Sequence, residues 1–105
     1  MNNARIYCLC LQDNLLEKVK KLNYLAVGLG QNEFSSEWIR DNTGENISTK
    51  NPFYGEYSFH YWMWKNEIDN IPDNTWIGFC TYRRFWSNKK NENSKIIFEK
   101  VLNEI

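Results

Sequence analysis

Arg5-Ile6-Tyr7-Cys8-Leu9-Cys10-Leu11 is the stretch that decides the fold. It is short and almost wholly apolar, as a strand must be when both faces are covered in a parallel sheet. Asp13 follows, with a carboxylate suited to capping a helix. Leu15, Leu16, Val19 and Leu22 then recur at helical spacing, with Lys18, Lys20 and Lys21 toward the end, where cations suit the helix dipole. A second apolar run, Tyr24 to Val27, gives strand, helix, strand, and Gly28-Leu29-Gly30 lets the backbone turn away from the sheet. That Gly-Leu-Gly could also cradle a phosphate, although it lacks the third glycine of the dinucleotide fingerprint.

Residues 31–52 are polar and rich in Asn, Ser, Thr and Gly, longer than most connections in a compact domain, with Trp38 and Ile39 suggesting a packed portion. Pro52 suits a first helical turn, and Phe53 to Glu67 carries rings at 54, 57, 61 and 64, a spacing that predicts one aromatic helix face. Phe59 and Trp62 lie off that stripe, which predicts a central helix buried on more than one side. Asp69 to Asn74 breaks it, and Trp76-Ile77-Gly78-Phe79-Cys80 reads as a further buried strand that delivers Tyr82, Arg83 and Arg84 into the next loop. After a polar loop over Ser87 to Asn93, Ser94 to Ile105 has the pattern of an amphipathic helix, with Ile97, Phe98, Val101 and Leu102 on its apolar face.

The 105 residues suffice for one small core. Thirteen basic residues balance thirteen acidic ones, so no overall field draws the protein toward nucleic acid or an anionic membrane. Anion binding has to be local. Aromatics make up 16% of the chain and cluster between Phe53 and Trp86; they serve either as core or as stacking surfaces for sugars or bases. Cys8, Cys10 and Cys80 lack zinc-site spacing and read as buried, reduced thiols. No stretch has the length of a membrane span or the pattern of a leader, which leads us to expect a cytoplasmic protein.

Three groups of residues carry candidate chemistry. Arg83 and Arg84, adjacent at a strand end, can face two phosphates of a nucleotide diphosphate, or one of them can pair with Glu56 or Asp41. Asn46-Ile47-Ser48-Thr49-Lys50-Asn51 gathers amide, hydroxyl and ammonium groups before a helix start, where phosphate or sugar hydroxyls could sit, or where the same residues serve capping and turns. Glu56 and His60 are four apart, the spacing of a metal pair or of a carboxylate orienting a base, but one carboxylate and one imidazole make no metal site. A lone histidine among aromatics is more often a packing residue.

Taken in order, Asn46-Ile-Ser-Thr-Lys-Asn, Tyr54-Gly-Glu-Tyr-Ser-Phe-His-Tyr-Trp-Met-Trp-Lys-Asn and Ile77-Gly-Phe-Cys-Thr-Tyr-Arg-Arg-Phe resemble the bacterial capsular-polysaccharide glycosyltransferase-like family. The likeness is close over residues 38–86, and since that family's members run to about twice this length, it implies a single partial domain, residues 1–105, the N-terminal half of such an enzyme. It further implies an α/β, Rossmann-related, GT-A-like fold with a mostly parallel sheet that binds a nucleotide sugar. The substrate-binding residues it implies are Asn46, Ser48, Lys50, Asn51, Glu56, Tyr82, Arg83 and Arg84, and it draws attention to Tyr61, Trp62, Trp64, Lys65 and Asn66 as well. A nucleotide-sugar donor and a glycan acceptor are the implied partners, with peripheral association to membrane assembly machinery compatible with this. Two positions depart from the family's pattern: Thr81 stands where many relatives carry histidine, and His60 where an aliphatic residue is common. No catalytic residue is assigned. No Asp-x-Asp pair ends the strand before Tyr82, so no cofactor is expected, although a divalent metal is compatible with such enzymes. The rival reading is a truncated, non-catalytic fragment or a carbohydrate- or protein-binding module.

Overall fold

The computed structural model describes residues 3–82. Arg83, Arg84, the loop over 87–93 and the expected helix over 94–105 lie outside the described residues. The order is β1 (Asn3–Cys10), α1 (Leu16–Lys21), β2 (Leu25–Gly28), β3 (Ile39–Arg40), α2 (Asn51–Tyr54), α3 (Tyr57–Trp62) and β4 (Thr75–Thr81). The strands form one sheet in the order β3-β2-β1-β4, and every pairing is parallel. The expected α/β, parallel architecture is therefore what the chain adopts, in a Rossmann-like arrangement.

Parallel pairing explains the unbroken apolar character of β1. Its alternate side chains Ala4, Ile6, Cys8 and Cys10 pack with Leu16 and Val19 of α1 on one face. Tyr7 and Leu9 pack with Phe59, Trp62 and Met63 on the other. Covered twice, Ile6 to Cys10 leave no position for a polar residue, whereas Arg5 before them is only half-buried. The three cysteines are free: Cys8 and Cys10 are buried with their sulfurs 4.0 Å apart, and Cys80 is half-buried. Contact with the Cys8 thiol, and then burial, push the Cys10 and Cys80 thiols up, which keeps both protonated.

Asp13 does not cap α1. Residues Asp13–Leu15 form a 3-10 turn, and no side-chain cap precedes the α-helix. Asp13 Oδ1 accepts instead from the Ser35 N–H at 2.9 Å and the Trp38 indole Nε1–H at 2.7 Å. The carboxylate thus pins the long loop onto the sheet, where Trp38 is buried beside Phe34 with centroids 5.0 Å apart. The Ser35 N–H first, and then the Trp38 indole, hold the Asp13 carboxyl below its ordinary range. A depressed folded-state pKa gives stability that is present above the unfolded value, about 4, and is lost as pH falls through the folded value. Acidification below pH 4 should therefore release the 35–38 segment, seen as a shift of the Trp38 indole N–H resonance. Asp13→Asn should remove that acid-dependent step.

The loop conceals a strand. Ile39–Arg40 pairs with β2 in the register Val27↔Ile39 and Gly28↔Arg40. Two residues are too few for periodicity to reveal. Arg40 fixes them, since its Nε and Nη2 donate to the Gly28 and Gly30 carbonyls at 2.9 and 2.5 Å while its guanidinium lies 4.4 Å from the Phe34 centroid.

The long aromatic helix is also corrected. It is broken at Gly55, whose φ of 57° and ψ of −131° suit only glycine, so α2 is a separate single turn. Beyond α3 the helix widens to a π-helical turn, Met63–Glu67, before a 3-10 turn at Ile68–Asn70. The stripe at Tyr54, Tyr57, Tyr61 and Trp64 exists but faces outward: Tyr54, Tyr57 and Trp64 are exposed and Tyr61 is half-buried. The off-stripe Phe59, Trp62 and Met63 face the sheet. Phe59 contacts Tyr7 at 5.4 Å, Trp62 at 5.6 Å and Phe79 at 6.2 Å between centroids. The helix is therefore buried on one side rather than several.

Candidate functional site

β1 has β2 on one side and β4 on the other, so the chain's direction of winding reverses between β1 and β4. In open parallel sheets ligands enter the crevice outside the carboxyl ends of the strands at such a reversal. A cavity of about 330 Å³ lies there, lined by Leu9, Leu11 and Leu29 from the ends of β1 and β2, by Asn51, Pro52, Gly55 and Glu56, and by Thr81 and Tyr82 at the end of β4. The Leu29 and Tyr82 N–H groups close onto β1 through the Cys10 and Leu9 carbonyls. Three of the residues expected to bind substrate, Asn51, Glu56 and Tyr82, are brought together in this one cavity.

Behind Asn51, through Ser58, lies a buried carboxylate. Asp41 is 0% exposed. It accepts from the Gly30 N–H at 3.0 Å, the Ser48 hydroxyl at 2.7 Å and the Ser58 hydroxyl at 2.5 Å. Ser58 in turn accepts from Asn51 Nδ2 at 3.0 Å, and the same amide donates to the Gly55 carbonyl at 2.9 Å. Asp41 thereby ties the turn after β2, the 3-10 turn Ser48–Lys50, α2 and α3 into one unit. Among the described residues every buried side-chain nitrogen and oxygen has a partner, as buried polar groups require. No signal in a single sequence marks this aspartate apart from the polar loop around it.

The other expected residues divide by role. Asn46 closes a local turn, accepting from the Ser48 N–H at 3.1 Å and donating to the Gly44 carbonyl at 2.9 Å. Ser48 is buried on Asp41, and Lys50 is exposed at the end of its 3-10 turn. Asn46 and Ser48 thus make turn and interior contacts, and α2, which begins at Asn51, is one turn long. Gly30, with φ of 76°, spends its N–H on Asp41 and its carbonyl on Arg40. Gly-Leu-Gly is therefore a turn held from inside and not a phosphate cradle.

Tyr61, Trp62, Lys65 and Asn66 clamp the 43–46 loop. Trp62 Nε1 donates to the Thr43 carbonyl and hydroxyl, each at 3.0 Å. Asn66 donates to the Glu45 carbonyl at 2.8 Å and accepts from the Glu45 N–H at 3.3 Å. The Tyr61 hydroxyl donates to the Glu45 carboxylate at 2.9 Å, which Lys65 approaches at 3.4 Å while lying 3.8 Å from the Trp64 centroid. The Tyr61 hydroxyl, and then Lys65, hold the Glu45 carboxyl low, and the same contact pushes the Tyr61 phenol up. The Tyr54–Asn66 motif thus grips residues 43–45, the approach to the Asn46–Asn51 motif.

Glu56 and His60 do not act as a pair. Glu56 lies just before α3 and faces the switch-point cavity, whereas His60 packs edge-on to Phe79 at 4.5 Å and lines a separate apolar cavity of about 250 Å³ with Met63, Trp64, Ile68 and Ile77. Among the described residues no three of His, Cys, Asp and Glu gather in a way that could hold a metal ion.

The profile of a domain of unknown function, DUF4422, matches residues 5–105. The chain belongs to the DUF4422 family. The match spans all seven helices and strands described above except the first two residues of β1. Neither a curated protein nor a solved structure matches the chain. Among the described residues of this DUF4422 domain no helix is long and apolar enough to cross a membrane.

Proposed function

We propose that this DUF4422 domain is the donor-binding part of a glycosyltransferase that moves a sugar from a nucleotide-sugar donor to a glycan acceptor in capsular or surface polysaccharide synthesis. The observation that carries this reading is the cavity at the β1/β4 reversal, where Asn51, Glu56 and Tyr82 converge. Its place in the sheet is the place where parallel α/β folds bind nucleotides. Arg83 and Arg84 follow Tyr82 directly in sequence and supply the cationic donors that a diphosphate needs. In the transfer the acceptor hydroxyl oxygen bonds to the anomeric carbon as the bond from that carbon to the diphosphate oxygen breaks. The nucleoside diphosphate leaves with the bonding pair, and guanidinium groups offset the charge that develops on it. The acceptor's proton passes to a base that we do not assign.

The test is calorimetric titration of the chain with UDP, GDP and their sugar conjugates, with and without a divalent cation. We expect binding that does not depend on added metal and weakens by about a hundredfold or more in an Arg83→Ala, Arg84→Ala double variant, since each charge-assisted hydrogen bond contributes roughly 1.5–3 kcal/mol and at least two are lost. Absence of binding by folded protein, or equal binding by the double variant, would overturn the proposal in favour of a non-catalytic module.

A further inference from the structure

Tyr7 is 2% exposed, and its ring packs on Phe59 and Phe79 with centroids 5.4 and 5.8 Å away. Its hydroxyl has no hydrogen-bond partner among the described residues. Every side-chain oxygen among them that is sealed from solvent does have one, so the small part of Tyr7 still exposed includes this hydroxyl. Packing alone needs only the ring, which phenylalanine would supply without a polar atom to satisfy. The hydroxyl opens into a further cavity of about 380 Å³ that Tyr7 lines, at the amino-terminal half of β1 and the start of β2. This is the opposite end of the strands from the switch-point cavity.

Strand register dictates what surrounds the hydroxyl. Arg5 stands two residues before Tyr7 on β1 and shares its face. Leu25 is paired with Tyr7 across β2, and Ile39 with Val27, which belongs to the same core layer as Tyr7. Trp62 of α3 and Glu67 of the π-helical turn close the cavity from the helix side. Arg5 and Glu67 are half-buried, yet neither makes an ion pair or a side-chain hydrogen bond among the described residues. Two unpaired charges of opposite sign and a free hydroxyl thus border one space with an apolar wall, on which Leu25 stays 37% exposed. Small-molecule pockets have this build: roughly 300–1,000 Å³, mainly apolar, with a few polar groups that fix orientation.

The charges select the occupant. A guanidinium holds a carboxylate through two parallel hydrogen bonds, and a carboxylate holds an ammonium. A simple anion would meet Glu67 and a simple cation would meet Arg5, whereas a zwitterion satisfies both. We infer that this cavity binds a free apolar α-amino acid. Its carboxylate lies on Arg5 and the Tyr7 hydroxyl, its ammonium on Glu67, and its side chain against Leu25, Ile39 and Trp62. The inference stands apart from the donor-site reading, since the two cavities share no lining residue.

Calorimetric titration of the chain with L-leucine and L-phenylalanine tests it, beside the same two compounds without the amino group and without the carboxyl group. At least one of the amino acids should bind, and its two counterparts should each bind about tenfold less tightly or worse. Arg5→Gln, Glu67→Gln and Tyr7→Phe each remove a hydrogen bond to a charged group and should each weaken binding about tenfold or more. Tyr7→Phe keeps the ring in the core, so its effect reads the hydroxyl rather than the fold. Failure of both amino acids to bind folded protein would overturn the inference. So would equal binding by Arg5→Gln and Tyr7→Phe, or equal binding of the compounds that lack one charged group.

Discussion

Replacing Asp41 with alanine should lower the unfolding free energy by about 3–5 kcal/mol, because three buried donors are left without an acceptor at roughly 1–3 kcal/mol each. Three groups would lose their acceptor together: the Gly30 N–H and the Ser48 and Ser58 hydroxyls. A buried donor without a partner costs roughly 1–3 kcal/mol, and hydroxyl rotation recovers only part of that. Asp41→Asn keeps one acceptor oxygen and the side-chain volume, and should cost about 1–2 kcal/mol by the same reasoning. Urea denaturation followed by circular dichroism measures both. Small domains are stable by only about 5–15 kcal/mol, so the alanine variant should be close to unfolding. A loss under 1 kcal/mol for Asp41→Ala would mean that the four segments do not depend on this carboxylate.

Phe59→Ala should have a comparable effect by a different route. Phe59 is 0% exposed and sits among Tyr7, Trp62 and Phe79, where α3 meets β1 and β4. Truncating a buried phenylalanine costs roughly 3–5 kcal/mol, the transfer term adding to the cavity left behind. Tyr57→Ala, two residues earlier and 64% exposed, should change stability by no more than about 0.5 kcal/mol. The contrast tests which face of the helix carries the fold. Equal losses would put the outward stripe in the core.

That contrast also marks where sequence reading stopped. The helical period of residues 54, 57, 61 and 64 was legible, but period alone does not say which side is inside. Tyrosine and tryptophan tolerate both environments because they carry an apolar body and a polar tip. Phe59, which has no polar tip, was the better indicator of the core. β1 could be read because burial on both faces leaves an unbroken apolar run. β2 and β4 could be read because short apolar runs are bounded by turn residues, although β4 is a half-buried edge strand among the described residues. β3 could not, since its two residues are held by Arg40 and by pairing with β2, and such long-range contacts leave no local pattern. Of the eight residues that the resemblance implies, Asn51, Glu56 and Tyr82 line one cavity, while Ser48 and Asn46 hold neighbouring turns. Asp41 escaped because its partners Gly30, Ser48 and Ser58 are spread along the chain.

The pairing of β1 with β4 has a consequence for synthesis. β1 runs from Asn3 and β4 begins at Thr75, so the central strand gains its second neighbour only after about 70 further residues have been made. At roughly 5–20 residues per second, β1 waits on the order of 4–14 seconds on the ribosome with one edge unpaired. An apolar strand with a bare edge is a template for pairing with other chains. The nascent chain therefore passes through its most aggregation-prone interval before Thr75 emerges, and holdase chaperones that bind extended apolar segments would act on it then.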